Sequence, residues 1–345
     1  MMTVRTFDIL HHMNEAENIP TYESDGPNIV LRNEPKLSEH EVDTDLNEMR
    51  LEFVSHIKEF VATSDHFKHE EEVGIEFAHT GVGSVIAIID TPTDKWVLKI
   101  PRSKRFSAGE GQFLQVWKEA GVAVPHVIDA GELHGSPYTL MQSIDAPTLD
   151  TRYTYEELIT NGTFTEMGKT LRLMHATPAS GYGFVVDGKP EFETVEEWLA
   201  GDDMKKRFDY IEKHNIFEGI EGELAKALQV IIEHAKEADS TYCHDDFGQA
   251  NIFATEPLTV FDANPRFNSG YYDLGKVKFF NVAFGGSPEA LKQLLDGYFG
   301  EDVCNDRVLD AYVLISFVYK CPYWQKKGRD KELQKAKDYF IENPI

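Results

Sequence analysis

The chain has 345 residues, enough for two domains or one two-lobed domain with a sizeable buried core. Its composition, 41% hydrophobic and 12% aromatic, excludes a disordered or fibrous protein. A net charge of -25 argues against nucleic acid and anionic membranes as partners, because such a surface repels phosphate; it suits a cationic partner, or serves solubility alone.

Residues 1–48 carry 11 acidic against 3 basic residues, with Pro20, Pro27 and Pro35 and no sustained period, and read as an acidic N-terminal extension outside the core. From Asp45 the apolar residues Leu46, Met49, Phe53, Val54, Ile57, Phe60 and Val61 recur at helical spacing. They predict a helix of about 17 residues capped by Asp43 or Thr44. Strand patterns follow at Gly74–His79, Gly83–Asp90 and Lys95–Pro101, the last two joined by a Thr91–Asp94 turn and therefore antiparallel. Gly81 and Gly83 lie between the first two strands. Their backbone N–H groups can approach a phosphate closely, or the glycines serve the turn through positive φ.

Lys99 sits among apolar neighbours in the third strand and needs a negative partner. Glu110, on a helix running to about Ala120, is the nearest candidate. The competing role for Glu110 is a capping box with Ser107. His126–Ala130 and Tyr138–Ser143 make a second antiparallel pair, completing a five-stranded sheet with one helix and an N-terminal lobe over residues 49–144. The chain breaks at Asp145-Ala146-Pro147, and residues 145–345 form a mostly helical second lobe. A capping box at Thr163–Glu166 is expected to lead one helix, and Phe192–His214 and Glu221–Ala238 are amphipathic. The 306–320 run is apolar nearly all round and should be buried; 331–341 reads as a polar surface helix. Cys243, Cys304 and Cys321 lack metal-ligand spacing and read as reduced thiols. No signal-like or membrane-length apolar run occurs, so a cytoplasmic protein, monomeric or weakly dimeric, is expected.

The stretch Cys243–Asp273 carries the chemistry. It contains His244-Asp245-Asp246, then Asn251 five residues after Asp246, then a short apolar run ending at Asp262. Phosphoryl transfer needs one carboxylate to orient the attacking hydroxyl and oxygen ligands to hold Mg²⁺ against the phosphates. Asp246 fits the base, and Asn251 and Asp262 fit the metal ligands.

Gly81, Gly83, Lys99, Glu110, His244-Asp245-Asp246, Asn251 and Asp262 occur in the order and spacing of the aminoglycoside phosphotransferase family, which this chain resembles over roughly residues 72–320. Gly168–Ala176, with its Leu-Met-His, and Tyr272-Asp273-Leu274 resemble the same family, and the layout is most similar to its hygromycin phosphotransferase branch. The resemblance implies an α+β, protein-kinase-like two-lobed fold. It implies ATP (or GTP) with Mg²⁺ between the lobes, adenine on the backbone of Gln142 to Ile144, and Lys99 with Glu110 at the phosphates. Asp246 would deprotonate a hydroxyl of a cationic small molecule, most of all an aminoglycoside-type antibiotic, with His244 bracing the loop. Asp245 departs from the family pattern, and as an extra charge beside the base it either raises the pKa of Asp246 or recruits a cation. Ala263-Asn264-Pro265 after Asp262 is a second departure. Glu196, Glu197, Asp202 and Asp203 either line an ammonium-binding cleft or form a solvated helix face. Two other readings remain: a kinase of the same fold acting on choline, homoserine, a sugar or a protein, and a non-catalytic binding module.

Overall fold

The structure, a computed structural model, describes residues 26–39, 43–78, 83–102 and 109–345. The N-terminal lobe runs β1 (Asn28–Leu31), α1 (Thr44–Thr63), β2 (Glu72–Phe77), β3 (Ser84–Asp90), β4 (Lys95–Pro101), α2 (Glu110–Glu119), β5 (Val127–Leu133) and β6 (Ser136–Gln142). The strands form one sheet in the order β1-β2-β3-β4-β6-β5. The five antiparallel strands expected from the sequence are β2 to β6.

A sixth strand corrects the reading of residues 1–48 as lying outside the core. β1 pairs parallel with β2, from Asn28 opposite Glu72 to Leu31 opposite Ile75. Parallel neighbours require a crossover, and α1 supplies it, burying Leu46, Phe53, Ile57 and Val61. Beyond the strand, the Asn33 amide donates to the Phe77 carbonyl (2.9 Å) and accepts from the Phe77 N–H (2.7 Å). Asp43 occupies the cap position of α1, yet its carboxylate accepts from the Ser38 hydroxyl (2.8 Å) and makes no cap bond. Four residues between two prolines carry no period of their own, so only the open edge of β2 reveals the strand. Residues 1–25 of the extension lie outside the described residues.

The C-terminal lobe begins with α3 (Leu149–Arg152), α4 (Tyr155–Thr160) and α5 (Thr163–Met174). The capping box expected at Thr163 is not formed, because the chain turns at Gly162 with φ 67 and Thr163 is already helical. Capping boxes occur instead at Thr154 with Glu157 and at Thr194 with Glu197. A second sheet, not expected in a lobe read as helical, is built from β7 (Pro178–Ala179), β8 (Tyr182–Val186) and β9 (Lys189–Phe192), followed by α6 (Val195–Ala200), α7 (Asp202–Lys213) and α8 (Glu221–His234). Then come β10 (Ser240–Cys243), a 3-10 turn at Gln249–Asn251, β11 (Ile252–Phe253), β12 (Thr259–Val260) and β13 (Arg266–Asn268). The sheet order is β7-β10-β13-β8-β9, and β11 pairs with β12 alone. Its strands are two to five residues long, too short to show alternation.

Helices α9 (Tyr271–Phe284), α10 (Pro288–Phe299), α11 (Asp306–Lys326) and α12 (Asp330–Glu342) close the lobe. α11 is buried as expected, and α12, read as a surface helix, packs Leu333, Ala336 and Phe340 inward. No helix among the described residues is long and apolar enough to cross a membrane.

Helix α5 carries His175 at its C-terminal end and packs against α10 through reciprocal glycines: a Cβ on Gly168 would run into the Leu294 carbonyl, and one on Gly297 into that of Thr165. Alanine at position 168 would favour an isolated helix by about 1 kcal/mol. In the folded protein we expect Gly168→Ala to cost roughly 1–3 kcal/mol through overpacking, read as a lower midpoint in thermal or urea unfolding; an unchanged or raised midpoint would refute the close packing.

Candidate active site

The cleft between the lobes is a cavity of about 630 Å³. Ile86, Ile88 and Val97 line it from the N-terminal lobe, Phe253 and Phe261 from the C-terminal lobe, and Lys99, Glu110, Gln142, Ile144, Asn251 and Asp262 also face it. Six of the nine residues singled out from the sequence therefore meet in one space.

At its inner end the Lys99 ammonium lies 2.8 Å from the Glu110 carboxylate and 2.6 Å from that of Asp262. Lys99 and Glu110 are 5% and 2% exposed, so neither charge has water to spend itself on. Burial works against the charged form of Lys99, but the carboxylates of Glu110 and Asp262 more than offset it and hold its pKa above the ordinary lysine value. The pairing decides between the two roles expected of Glu110. The cap position of α2 is Gly109, at φ 86, and Glu110 also accepts from the Ala263 N–H (3.2 Å). Ser107 lies outside the described residues.

The nucleotide-side backbone follows in part. Gly81 lies outside the described residues. Gly83 precedes β3 in open space and its φ is not positive, so the positive-φ reading fails at this position. It does not line the cleft. At the other end, the Gln142 N–H donates to His126 and the Ser143 N–H to Lys95, while the N–H of Ile144 has no partner among the described residues.

Asp246 sits beside the cleft with its side chain 44% exposed. Asn251 Nδ2 donates to the Asp246 carbonyl (2.7 Å) and to its carboxylate (3.2 Å), leaving the Asn251 Oδ1 uncommitted. The loop is fixed from behind. Asp273, at the start of α9 and 1% exposed, accepts from the backbone N–H groups of His244 (2.7 Å) and Asp245 (2.8 Å), and His175 from the end of α5 bonds the same carboxylate (3.1 Å). These two residues belong to the Leu-Met-His and Tyr-Asp-Leu stretches noted in the sequence.

His244 Nε2 donates to the Phe261 carbonyl (2.9 Å), while Nδ1 accepts from the Asp246 N–H (3.2 Å), so the ring braces the loop as expected. Trp117 of α2 stacks on it at 5.7 Å and 4°, and its indole N–H donates to the Tyr242 carbonyl (3.2 Å). That contact between the lobes was not anticipated, since nothing in a helical Trp specifies what lies under it.

Asp245 takes the second of its two expected courses and recruits cations. Arg266 (2.7 Å) and Lys276 (2.8 Å) pair with it, and Tyr272 donates to it (2.8 Å). Burial alone would raise its pKa, but Arg266 and Lys276 hold it well below the carboxylate range. Of the carboxylates expected to bind a cation, Glu197 serves its capping box and Asp203 pairs with Arg207 (3.2 Å). Glu196 and Asp202 are exposed on helix faces. Cys243, Cys304 and Cys321 are unpaired thiols.

Residues 75–305 match the family described as Phosphotransferase enzyme family. No curated protein matches the sequence. Among solved structures, a thermostable mutant of aminoglycoside phosphotransferase APH(4)-Ia in complex with AMP-PNP and hygromycin B is 16% identical, covering 84% of this chain and 99% of its own, with a TM-score of 0.60. A choline/ethanolamine kinase family protein from Mesorhizobium loti is 16% identical over 85% of this chain and 96% of its own (TM-score 0.59). A putative fructosamine-3-kinase from Haemophilus somnus 129PT is 13% identical over 81% and 96% (TM-score 0.53). At these identities the likeness is one of fold, and it is the two-lobed kinase-like fold.

Burial pushes the His244 pKa below its ordinary value, so the folded ring is neutral. The unfolded ring protonates near pH 6.5, so below that pH the unfolded state binds more protons and stability is lost as the pH falls. Urea-unfolding stability should fall between pH 7 and pH 5 with a contribution from this ring of up to about 1.4 kcal/mol per pH unit. His244→Gln should flatten the slope, and a slope untouched by that substitution would rule out the neutral buried ring.

Proposed function

The chain belongs to the phosphotransferase enzyme family, and on that premise we propose that it transfers the γ-phosphate of ATP (or GTP) to a hydroxyl of a small molecule. The observation that carries this reading is the convergence of Lys99, Glu110, Asn251 and Asp262 on one cleft, with Asp246 tied to Asn251 beside it. The apolar faces of Ile86, Val97, Phe253 and Phe261 suit a flat base, and the carbonyl of Gln142 and the free N–H of Ile144 suit its edge. Lys99 is the cation for the phosphates, kept charged and in position by its two carboxylates. Gly83, with Gly81, is the candidate for backbone contact to the phosphates.

The residues present fit Mg²⁺. Asn251 offers its uncommitted Oδ1 and Asp262 a carboxylate, hard oxygen donors of the kind that ion takes together with phosphate oxygens. Bound there, it would neutralise charge on the transferring phosphoryl group. Asp246 would receive the acceptor hydroxyl's proton as the acceptor oxygen bonds to the γ-phosphorus and the bond to the bridging oxygen breaks.

An aminoglycoside-type antibiotic, and with it antibiotic resistance, is the acceptor suggested by the structural likeness and by the acidic surface. The choline/ethanolamine and fructosamine kinase likenesses widen the class to other hydroxyl compounds. Possession of the whole set of acid, amide and lysine groups weighs against a non-catalytic binding module.

The test is Mg²⁺-dependent nucleotide consumption with mass spectrometry of a panel of hydroxyl compounds. Asp246→Asn should lower turnover by roughly 10²–10⁴-fold while nucleotide still binds, because a base acts mainly in the transition state. A near-normal rate in that variant would sink the assignment of the base. Asp262→Asn should in addition weaken Mg-nucleotide binding, measured by titration calorimetry; unchanged affinity would remove Asp262 from the metal site.

A further inference from the structure

Four cations lie on α7, β13, α9 and α11 where these elements pack together, and one of them, Lys276, reaches to 3.9 Å from Asp246. Three have carboxylate partners: Arg207 with Asp203 (3.2 Å), Arg266 with Asp245 (2.7 Å), and Lys276 with Asp245 (2.8 Å) and, at 3.9 Å, with Asp246. Lys320 of α11 does not. It is partly buried, its ammonium lies 5.1 Å from the centre of the Phe280 ring, and no carboxylate stands within ion-pairing distance among the described residues. Burial and the neighbouring Lys276 pull its pKa down to about 8, against the opposing pull of Asp246 and Asp245. A lysine at a protein surface ordinarily extends its stem until the head reaches water or a counter-charge. This one rests on an aromatic face beside other cations.

Phe280 lies one turn along α9 from Lys276, the lysine that comes within 3.9 Å of the Asp246 carboxylate. The same ring walls an apolar cavity of about 280 Å³ between α9, α10 and the segment Phe247-Gly248-Gln249 that directly follows Asp246. A molecule presenting a hydroxyl to Asp246 from the α9 side would meet Lys276, 3.9 Å from that carboxylate, and one turn further along α9 the Phe280 ring on which Lys320 rests. Cations already matched to Asp245 have little left to offer it, whereas Lys320 has no ion-pair partner among the described residues.

We propose that the acceptor carries an anionic group, a carboxylate or a phosphate, held by Lys320 next to the hydroxyl presented to Asp246. The inference rests on the phosphotransferase reading and narrows its substrate class to hydroxy acids or phosphorylated polyols, in place of the cationic compounds that the surface charge and the family likeness suggest. The negative surface and the local cluster of cations are compatible, since the surface field sets long-range attraction while Lys320 would act at contact distance.

The test has two arms on the intact protein loaded with Mg-ADP or Mg-ATP. In the first, the rate at which an amine-acylating reagent labels Lys320 is followed by peptide mass spectrometry with glycerate, glycerol 3-phosphate, glycerol or choline present. Glycerate or glycerol 3-phosphate should slow labelling at least threefold, the stronger of the two telling carboxylate from phosphate, while glycerol and choline should not. Equal labelling in all four, or protection by nucleotide alone, overturns the proposal. In the second, phosphate transfer to anionic, neutral and cationic hydroxyl compounds is compared. Turnover should favour the anionic class, Lys320→Met should lower kcat/KM for it at least tenfold through KM, and Lys320→Arg should restore most of it, with the nucleotide KM unchanged in both. Turnover confined to cationic acceptors, or indifferent to Lys320→Met, refutes the anionic acceptor and leaves the phosphotransferase reading standing. Failure to bind Mg-nucleotide would instead strike at that reading itself.

Discussion

The Lys99 ammonium is the constraint around which both lobes are arranged. A buried cation is tolerated only when paired, and removal of one partner from such a pair costs about 3–5 kcal/mol because the other charge is left stranded. Its partners come from α2 and from the segment after β12, so the position of the helix and that of the C-terminal lobe are set by one charge on β4. Packing reinforces the arrangement. Phe113, Leu114 and Trp117 of α2 share a core with Phe247, Ile252, Val260, Ala263 and Phe267 of the other lobe. The helix that supplies Glu110 is therefore anchored in the lobe that supplies Asp246.

Behind the loop, the carboxylates of Asp273 and Asp245 and the ring of His244 are each fully matched. Asp273 serves two backbone N–H groups and His175; Asp245 serves Arg266, Lys276 and Tyr272; His244 spends both ring nitrogens. A satisfied network of this kind is stiff, and each partner holds others in place. It also supports strain. Asp245 and Asp262 both adopt left-handed backbone at φ 59, a conformation that costs a residue with a side chain on the order of 1 kcal/mol or more. Each is held there by ion pairs, Asp245 to Arg266 and Lys276 and Asp262 to Lys99, and each such bend aims a neighbouring or its own carboxylate as the site requires.

Charge acts here on two scales. The acidic surface summed over 345 residues would favour cations approaching from solution. The immediate surroundings of Asp246 carry Lys276, Lys320 and Arg266 instead. These cations lie 20 to 74 positions further along the chain than Asp246, on β13, α9 and α11, so a net charge could not show that they converge.

Local chemistry and spacing made much of this protein readable in its sequence. The apolar environment of Lys99 demanded a counter-charge, the interval from Asp246 to Asn251 belonged to one loop, and short apolar runs between turn residues marked β2 to β6, because each of these is expressed within a few residues. Tertiary structure alone decided the rest. The β1 edge, the short strands of the second sheet, the stacking of Trp117 on His244 and the lack of a carboxylate partner for Lys320 among the described residues are relations between segments distant in the chain, and no local pattern encodes which neighbour a side chain will meet. The course taken by Asp245 is the clearest case. Its extra charge was visible from the start, but whether it would burden the base or be neutralised depended on Arg266 and Lys276 folding back upon it.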